Sequence, residues 1–137
     1  MFERLPNPKE VEAVMGLDAY ARHSGCEVLR AEPGYAEVRL PVGPEVLNGH
    51  GNLHGGALFT LADYAAALAS NLCDHPTMAV NGSIAYLSAV RGGHVVAKAR
   101  TVKNGRRMTF QLVEIYDAEE RLVATFQGGS MHVPQKG

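Results

Sequence analysis

The feature that most constrains this chain is a long, almost uncharged segment from Gly55 to Cys73, with a single acid, Asp63, near its middle. Alanines are concentrated between positions 62 and 69, and most other positions are apolar. A helix that is apolar nearly all round is buried on most of its faces. The segment is about as long as a membrane span, but a central charge is costly in lipid. We therefore predict a helix buried in a soluble core.

The segments around this helix show the alternation of half-buried β-strands. Before it, Cys26 to Glu32 and Tyr35 to Val42 predict a hairpin around a Pro-Gly pair. After it, Asn104 and Gly105 predict a two-residue hairpin turn between alternating segments. Short turns predict antiparallel neighbours, so we predict an α+β fold of two strands, one long helix and a meander. The meander strands are predicted at Thr77 to Ala89, His94 to Lys103, Arg106 to Asp117 and Arg121 to Val133.

The N-terminal part predicts a helical flank. Asn7 to Glu10 has the composition of a helix start, and Asp18 to His23 predicts another helical turn that Gly25 closes. Neither segment carries residues that indicate chemistry.

Composition argues against several classes of protein. The chain has 13 Lys and Arg against 14 Asp and Glu, a net charge of -1, whereas nucleic-acid binding needs a basic excess. Cys26 and Cys73 are expected to be reduced thiols in a cytoplasmic protein. The N-terminus lacks the apolar segment of a signal peptide.

A glycine- and histidine-rich loop leads into the central helix. Its glycines permit close approach of a ligand to the backbone. A helix that begins near His54 and Gly55 presents N–H groups without intrahelical partners, which suit a carbonyl oxygen that becomes anionic during acyl transfer. Asp63 is then either a structural carboxylate bonded to backbone or tyrosine, or a functional acid.

Other site motifs fit poorly. The glycine spacing has one residue too many for a dinucleotide fingerprint, and the Lys and Ser/Thr of a P-loop are missing. His50 and His54 are spaced as in H-E-x-x-H, but the Glu and the helix are not there, so no metal site is predicted. No serine lies in a G-x-S-x-G elbow.

The loop and helix together contain a motif of eight residues, Asn48, Gly51, His54, Gly55 and Gly56 followed by Leu61, Ala62 and Asp63. This motif resembles the central motif of a known family, the hotdog-fold acyl-CoA thioesterases of the phenylacetate-degradation (PaaI-like) type. Asn104 to Met108 and Phe126 to Gly128 resemble that family's strand-turn segment and last strand. The resemblance implies a hotdog fold, an antiparallel β-sheet wrapped around one long central helix, in a single thioesterase domain (1–137) with residues 1–24 as the helical flank.

The resemblance also implies catalytic roles. Asp63 is the expected general base on water or the nucleophile, and the Gly55 N–H is expected to polarise the thioester carbonyl. Asn48 and His54 are expected to position the thioester or the attacking water. Family members often hold this water with a Ser or Thr, and Ser70 and Ser83 are the candidates here.

The expected substrate contacts lie in three places. Lys103, Arg106 and Arg107 form a basic cluster that either holds coenzyme A phosphates or is an ordinary solvated turn. Asn81 and Gly82 predict either a tight turn that splits a strand or a bulge beside the site. The binding candidates are Gly56, Asn81, Gly82, Asn104, Arg106 and Arg107.

The spacing of Gly55 and Asp63 predicts a shared site. Eight residues along a helix separate them by roughly 12 Å, whereas an oxyanion donor and a base must both lie within a few ångströms of the reacting atoms. Two chains with antiparallel central helices solve this and form two equivalent sites. The family resemblance implies dimers, usually paired into homotetramers.

The predicted function is hydrolysis of an acyl-CoA thioester to a free acid and coenzyme A, without a cofactor because coenzyme A belongs to the substrate. The alternatives are a hotdog enoyl-CoA hydratase or dehydratase and a non-catalytic acyl-CoA-binding module. We expect a cytoplasmic homo-oligomer, a dimer or a dimer of dimers, that binds no nucleic acid or membrane. The acyl group stays open, because Phe59, Tyr64 and Tyr86 either line a pocket or belong to the core.

Overall fold

A computed structural model describes residues 18–71 and 77–133. The predicted helix start at Asn7, and Cys73, lie outside these residues. The predicted turn of helix after Asp18 is confirmed, with Gly25 closing it at a positive φ of 96°. The elements are α1 (Ala19–Ser24), β1 (Glu27–Glu32), β2 (Tyr35–Pro41), α2 (Gly55–Asn71), β3 (Thr77–Tyr86), β4 (His94–Asn104), β5 (Met108–Asp117) and β6 (Leu122–His132), with a 3-10 turn at Pro44–Val46.

The strands form one antiparallel sheet in the order β1-β2-β4-β5-β6-β3. The prediction that all four strands after the helix form a meander was wrong for β3. Only β4, β5 and β6 are sequential neighbours, while β3 lies on the far edge beside β6. The reason is the connection after β3, which is held by bonds from Leu87 N to Val123 O and from Leu53 N to Val90 O. It therefore crosses to the middle of the sheet, where β4 pairs with β2.

The sheet packs around α2, which lies against residues of every strand. Along β2, β4 and β5 the buried side chains alternate with exposed or half-buried ones, as expected for one face against a core. Gly56, Thr60, Asp63 and Ala67 form a stripe along α2 that is exposed or half-buried. The buried positions cover most of the remaining surface, which confirms the predicted burial of the helix on most of its faces. The buried residues are Leu58, Leu61, Ala62, Tyr64, Ala65, Ala66, Leu68, Ala69 and Ser70.

Two predicted hairpins are confirmed, but one turn lies elsewhere. Pro33 and Gly34 link β1 to β2, and Gly34 has a positive φ of 74°, as its place in this turn requires. At the β4–β5 hairpin, however, Asn104 pairs with Thr109. The Gly105 N–H donates to the Met108 carbonyl at 2.7 Å. The reversal therefore falls two residues later than predicted, at positions 106 and 107.

The interruption predicted in β3 is a bulge. The strand runs unbroken from Thr77 to Tyr86, and its register against β6 shifts between Ala79 and Asn81. The alternative of a tight turn at Asn81 was wrong. Asn81 Oδ1 accepts the Gly129 N–H at 2.8 Å, so the side chain replaces a ladder bond that the bulge disrupts. Within the described residues, no helix is long and apolar enough to cross a membrane.

Candidate active site

The start of α2 is capped by the residue that precedes it. His54 Nδ1 accepts the Gly56 N–H at 2.8 Å, and the His54 carbonyl accepts the N–H groups of Ala57 and Leu58 at 3.0 and 3.1 Å. These bonds satisfy all but one of the first four N–H groups of the helix. Among the described residues, no acceptor for the Gly55 N–H is found. The helix therefore presents a single available donor, at the predicted residue, while the N–H of the binding candidate Gly56 is already used.

Tyr86 fixes this glycine from the end of β3. Its hydroxyl donates to the Gly55 carbonyl at 3.0 Å. A Cβ at Gly55 would lie 3.0 Å from two atoms of the tyrosine, Cζ and the hydroxyl oxygen, so glycine permits the contact. From the sequence, Tyr86 is predicted only to line a pocket or to belong to the core. A hydrogen bond across 31 residues leaves no local sequence pattern that could have identified its partner.

Asn48 organises the loop before α2. Its Oδ1 accepts the N–H groups of His50 and Asn52 at 2.9 and 3.1 Å, and its own N–H donates to the Asn52 carbonyl at 2.7 Å. Asparagine commonly stabilises turns in this way. The His54 N–H then donates to the Val46 carbonyl at 2.8 Å. Asn48 thus fixes the loop that leads to Gly55.

Asp63 lies about two helical turns beyond this donor and lines a cavity of about 200 Å³. The cavity lies between α2 and the strands β3, β5 and β6. Among the residues of 18–71 and 77–133, no hydrogen bond or ion pair to the Asp63 carboxylate is found. The structural alternative, a carboxylate bonded to backbone or tyrosine, therefore has no support in this part of the chain. The other lining residues are Ala66, Ala67, Ser70, Thr77, Ala79, Asn81, Gln111, Phe126, Gly128, Gly129 and Ser130.

The surroundings of Asp63 favour its neutral form. Burial raises the pKa of the Asp63 carboxyl, and the carboxylate of Asp18, the cap of α1, raises it further. Asp117 is the opposite case. Bonds from the Arg121 N–H and guanidinium and from the Glu119 N–H hold the pKa of Asp117 below its usual value. A carboxyl group that lines a cavity, has no bonding partner and has a raised pKa is typical of functional acids.

The structure separates the two candidate hydroxyls. Ser70 lines the same cavity as Asp63 and is buried, with its Oγ bonded to the Ala67 carbonyl and to Thr77 Oγ1. Ser83 instead lines a different cavity of about 400 Å³, together with the binding candidates Asn81 and Gly82. At Gly82 an added Cβ would lie 2.9 Å from the Phe126 ring, so packing alone accounts for glycine there.

The basic cluster lies at the reversal between β4 and β5. Arg106 and Arg107 are exposed and form no ion pair with any described residue. The Arg107 carbonyl accepts the His132 N–H at 2.9 Å, and Asn104 Oδ1 is 3.0 Å from His132 Nε2. Asn104 therefore joins the hairpin to β6, and the two guanidinium groups extend from a fixed turn.

In the described part of the chain, no group of three or more His, Cys, Asp or Glu side chains is arranged to hold a metal ion. Cys26 is a buried free thiol, and burial raises its pKa to about 11, so it is a poor ligand at neutral pH.

Comparison with known proteins identifies the family. Residues 50–124 match the Thioesterase superfamily. The chain belongs to this superfamily. It is 32% identical over 117 residues to the acyl-coenzyme A thioesterase PaaI of Escherichia coli (strain K12), a match that covers 85% of this chain and 84% of that protein. The predicted α+β hotdog fold and the PaaI-like thioesterase family are thereby confirmed, and the chain is an enzyme of this class.

Solved structures agree with this assignment. The E. coli PaaI protein from the phenylacetic acid degradation operon has a TM-score of 0.87 at 30% identity, covering 93% of this chain and 94% of that one. A mutant of the phenylacetic acid degradation protein PaaI from Thermus thermophilus has a TM-score of 0.81 at 37% identity, covering 85% of this chain and 100% of that one.

The Asp63 carboxylate, which has no partner among the described residues, is expected to lower the stability of the folded state at neutral pH. Because the folded-state pKa of Asp63 is raised, the folded state gains relative stability below the unfolded pKa of about 3.9 and loses it as pH rises through the folded pKa. Asp63→Asn is neutral and similar in shape. We expect this variant to unfold at a higher temperature than the wild type at pH 7, with the difference disappearing below about pH 4.

Asp117→Asn is the matched control, measured by the same thermal unfolding across pH. In the wild type the folded-state pKa of Asp117 is lowered. The Asp117 carboxylate therefore contributes folding stability above its unfolded pKa, and this stability is lost as pH falls through the folded-state pKa. This variant should be less stable than the wild type at pH 7 and approach it in acid. An Asp63→Asn protein that is no more stable than the wild type at pH 7 would show that the carboxylate has a stabilising partner.

Proposed function

We propose that this enzyme hydrolyses an acyl-CoA thioester to a free acid and coenzyme A, as a cytoplasmic homo-oligomer that uses no separate cofactor. The observation that carries the proposal is the Asp63 carboxylate, which has no partner among the described residues and lines a cavity of a thioesterase-superfamily chain. A thiolate is a good leaving group, so one base or nucleophile and one oxyanion donor suffice. The name of the E. coli relative, an acyl-coenzyme A thioesterase, supports the substrate class.

In the proposed reaction the carbonyl oxygen of the thioester accepts the Gly55 N–H. Negative charge develops on this oxygen as the carbonyl carbon becomes tetrahedral, and a preorganised donor stabilises it. Asp63 either removes a proton from the attacking water or attacks the carbon itself. Collapse of the intermediate breaks the carbon–sulfur bond and releases coenzyme A.

Several contacts support Gly55 as the oxyanion donor. The peptide group between His54 and Gly55 has a carbonyl that accepts two N–H bonds, and such chains of hydrogen bonds polarise one another. The next peptide is fixed at both ends, its carbonyl by Tyr86 and its N–H by the His54 ring. The roles of His54 and Asn48 in this proposal are to hold the loop and the donor in place.

The proposed site is shared between two protomers. Gly55 and Asp63 lie in the same helix, roughly 12 Å apart, and Gly55 contacts Tyr86 at one end of β3 while Asp63 shares a cavity with residues at its other end. A two-fold axis that sets two α2 helices antiparallel brings each donor to the carboxylate of the other chain. The edge position of β3 is compatible with pairing of two protomers into one extended sheet.

The first test is thiol release from a panel of acyl-CoA thioesters. The wild type should release coenzyme A, and Asp63→Asn should lower kcat by about 10²- to 10⁴-fold, as expected for loss of a general base, while the protein stays folded. Hydration of enoyl-CoA substrates is measured in parallel. Hydration without thiol release identifies the hydratase alternative, and acyl-CoA binding without either reaction identifies the binding module.

The second test mixes two impaired chains. Gly55→Pro removes the N–H at the first helical position, where proline is tolerated, and should lower kcat by about 10²- to 10³-fold. Gly55→Ala is the matched control, since it adds a Cβ near Tyr86 but keeps the N–H. After unfolding and refolding together, Gly55→Pro and Asp63→Asn chains should regain about a quarter of wild-type activity, because half of the dimers are mixed and each has one intact site.

Recovery well below this level, with mixed dimers verified by mass spectrometry, would contradict a shared site. Full activity of Gly55→Pro would contradict the donor role of this N–H.

The third test concerns the phosphates of coenzyme A. Charge reversal by Arg106→Glu with Arg107→Glu should raise KM for acyl-CoA by about tenfold or more, as expected from loss of charge-assisted bonds worth about 1.5–3 kcal/mol each. KM for a short pantetheine thioester, which lacks the nucleotide, should not change. Lys98→Glu changes another exposed cation on the outer surface and serves as the control. Equal effects on both substrates would remove the phosphate-binding role and leave an ordinary solvated turn.

A further inference from the structure

The cavity that holds Asp63 has a second polar group that the proposed reaction does not yet use. Gln111 lies in β5 and is 1% exposed. Its Nε2 donates to Thr109 Oγ1 at 2.9 Å and to Thr101 Oγ1 at 3.1 Å. Its Oε1 is buried and has no hydrogen-bond partner among the described residues. A buried acceptor left in this state costs about 1–3 kcal/mol, so a donor from outside the described residues, such as a water, is expected there.

The hydrogen-bond network fixes which way this amide points. The Thr101 hydroxyl donates to the Ala69 carbonyl at 3.1 Å, and the Thr109 hydroxyl donates to the Lys103 carbonyl at 3.1 Å. Each hydroxyl has thereby used its only proton and can only accept from Gln111. A flipped amide would place an oxygen against two groups that have no proton to give. Oε1 is therefore an acceptor in a fixed position.

Gln111 is a lining residue of the Asp63 cavity. Gln111 borders both this cavity and the larger one that contains Ser83, but only the former has walls from α2. The Gln111 side chain lies on the helix side of the sheet, because its partner Thr101 bonds the helix carbonyl of Ala69. A cavity of about 200 Å³ has room for several waters, each of which takes about 30 Å³.

We propose that Gln111 is a positioning residue, whose Oε1 holds the attacking water beside Asp63. This inference rests on the proposed thioester hydrolysis and assigns Asp63 the role of general base. One proton of the water is hydrogen-bonded to Gln111 Oε1, and the other goes to the Asp63 carboxylate as the water oxygen bonds to the thioester carbon. The carbon–sulfur bond then breaks with the electron pair leaving on sulfur, and the proton held by Asp63 neutralises the thiolate.

The arrangement explains how a water is oriented although Ala66 and Ala67, one turn beyond Asp63, have no hydroxyl. An acceptor with no proton to donate imposes one orientation, because the water must direct a hydrogen towards it and keeps a lone pair for the carbon. Ser70 is less suited to this, since its hydroxyl already bonds the Ala67 carbonyl and Thr77. The rigid anchoring of Nε2 by two threonines keeps the acceptor in place.

Gln111→Met tests this role, since methionine has a similar length and no hydrogen-bonding oxygen. We expect kcat for thioester hydrolysis to fall by about 10- to 100-fold, as misplaced reacting groups do, with KM for acyl-CoA unchanged. Gln127→Met replaces an exposed glutamine of β6 and should leave both constants unchanged. Hydroxylamine is then added as a second nucleophile, whose attack does not depend on a held water. The ratio of hydroxamate to free acid should rise in Gln111→Met.

Equal losses of hydrolysis and hydroxamate formation, or no loss, would overturn the proposal and make Gln111 a structural residue. A crystal structure of the wild-type enzyme tests the position of the water directly and does not depend on how well the variant folds. A water within hydrogen-bond distance of both Gln111 Oε1 and the Asp63 carboxylate is expected, and its absence overturns the proposal. Failure of thioester hydrolysis itself is seen separately, as wild-type protein that releases no thiol.

Discussion

The structure depends on the close approach of the central helix to the sheet that surrounds it. Alanines on both sides permit this approach, Ala62, Ala65 and Ala69 on α2 and Ala97 and Ala99 on β4, all fully buried. The approach is so close that a side chain of the sheet, Thr101, bonds a backbone carbonyl of the helix. A helix with larger residues at these positions would push the strands outward, because close-packed cores tolerate little added volume.

A second set of small residues explains why a cavity exists at Asp63. Where Ala66 and Ala67 of the helix face Gly128 and Gly129 of β6, too little side-chain volume is present to fill the space between them. The cavity is not enclosed, since Asp63 and Ala67 are half-buried and Asn81 is exposed. Here polar groups border the void, so it is suited to water and substrate rather than to further core packing.

Asp63, which is half-buried, and Asp117, which is buried, have opposite surroundings. Asp117 is surrounded by N–H donors and stabilises the turn between β5 and β6 in its charged form. Asp63 has no such donor among the described residues, so its charged form is disfavoured. An unpaired acid lowers the stability of the folded state, but it also brings the pKa closer to the range in which a general base accepts and releases protons.

Local patterns in the sequence predicted the helices and strands. Strand order and several site contacts could not be predicted, because they depend on residues that are distant in the sequence. The helix bounds and the Pro33-Gly34 turn follow from neighbouring residues alone. The edge position of β3 depends on its pairing with β6, although β4 and β5 lie between these two strands in the sequence. The β4–β5 turn lies two residues beyond its predicted position, and Asn104 at its base bonds the distant His132. In the site, Asp63 could be identified as the single acid of an apolar helix and Gly55 as the start of that helix after a glycine-rich loop. Tyr86 and Gln111 form hydrogen bonds to other elements of the fold, which leave no sequence motif.

The capping of α2 limits what the start of the helix can bind. Phosphate sites at helix N-termini use several free N–H groups at once. Here the His54 ring takes the N–H of Gly56, and the His54 carbonyl takes those of the two following residues. Among the described residues only the Gly55 N–H is left without an acceptor, and the carbonyl of the same peptide group, that of His54, accepts two of the capping bonds. A single polarised donor matches a single carbonyl oxygen that becomes charged, and it matches a phosphate group poorly. The cap that stabilises the helix therefore also selects the chemistry of its N-terminus.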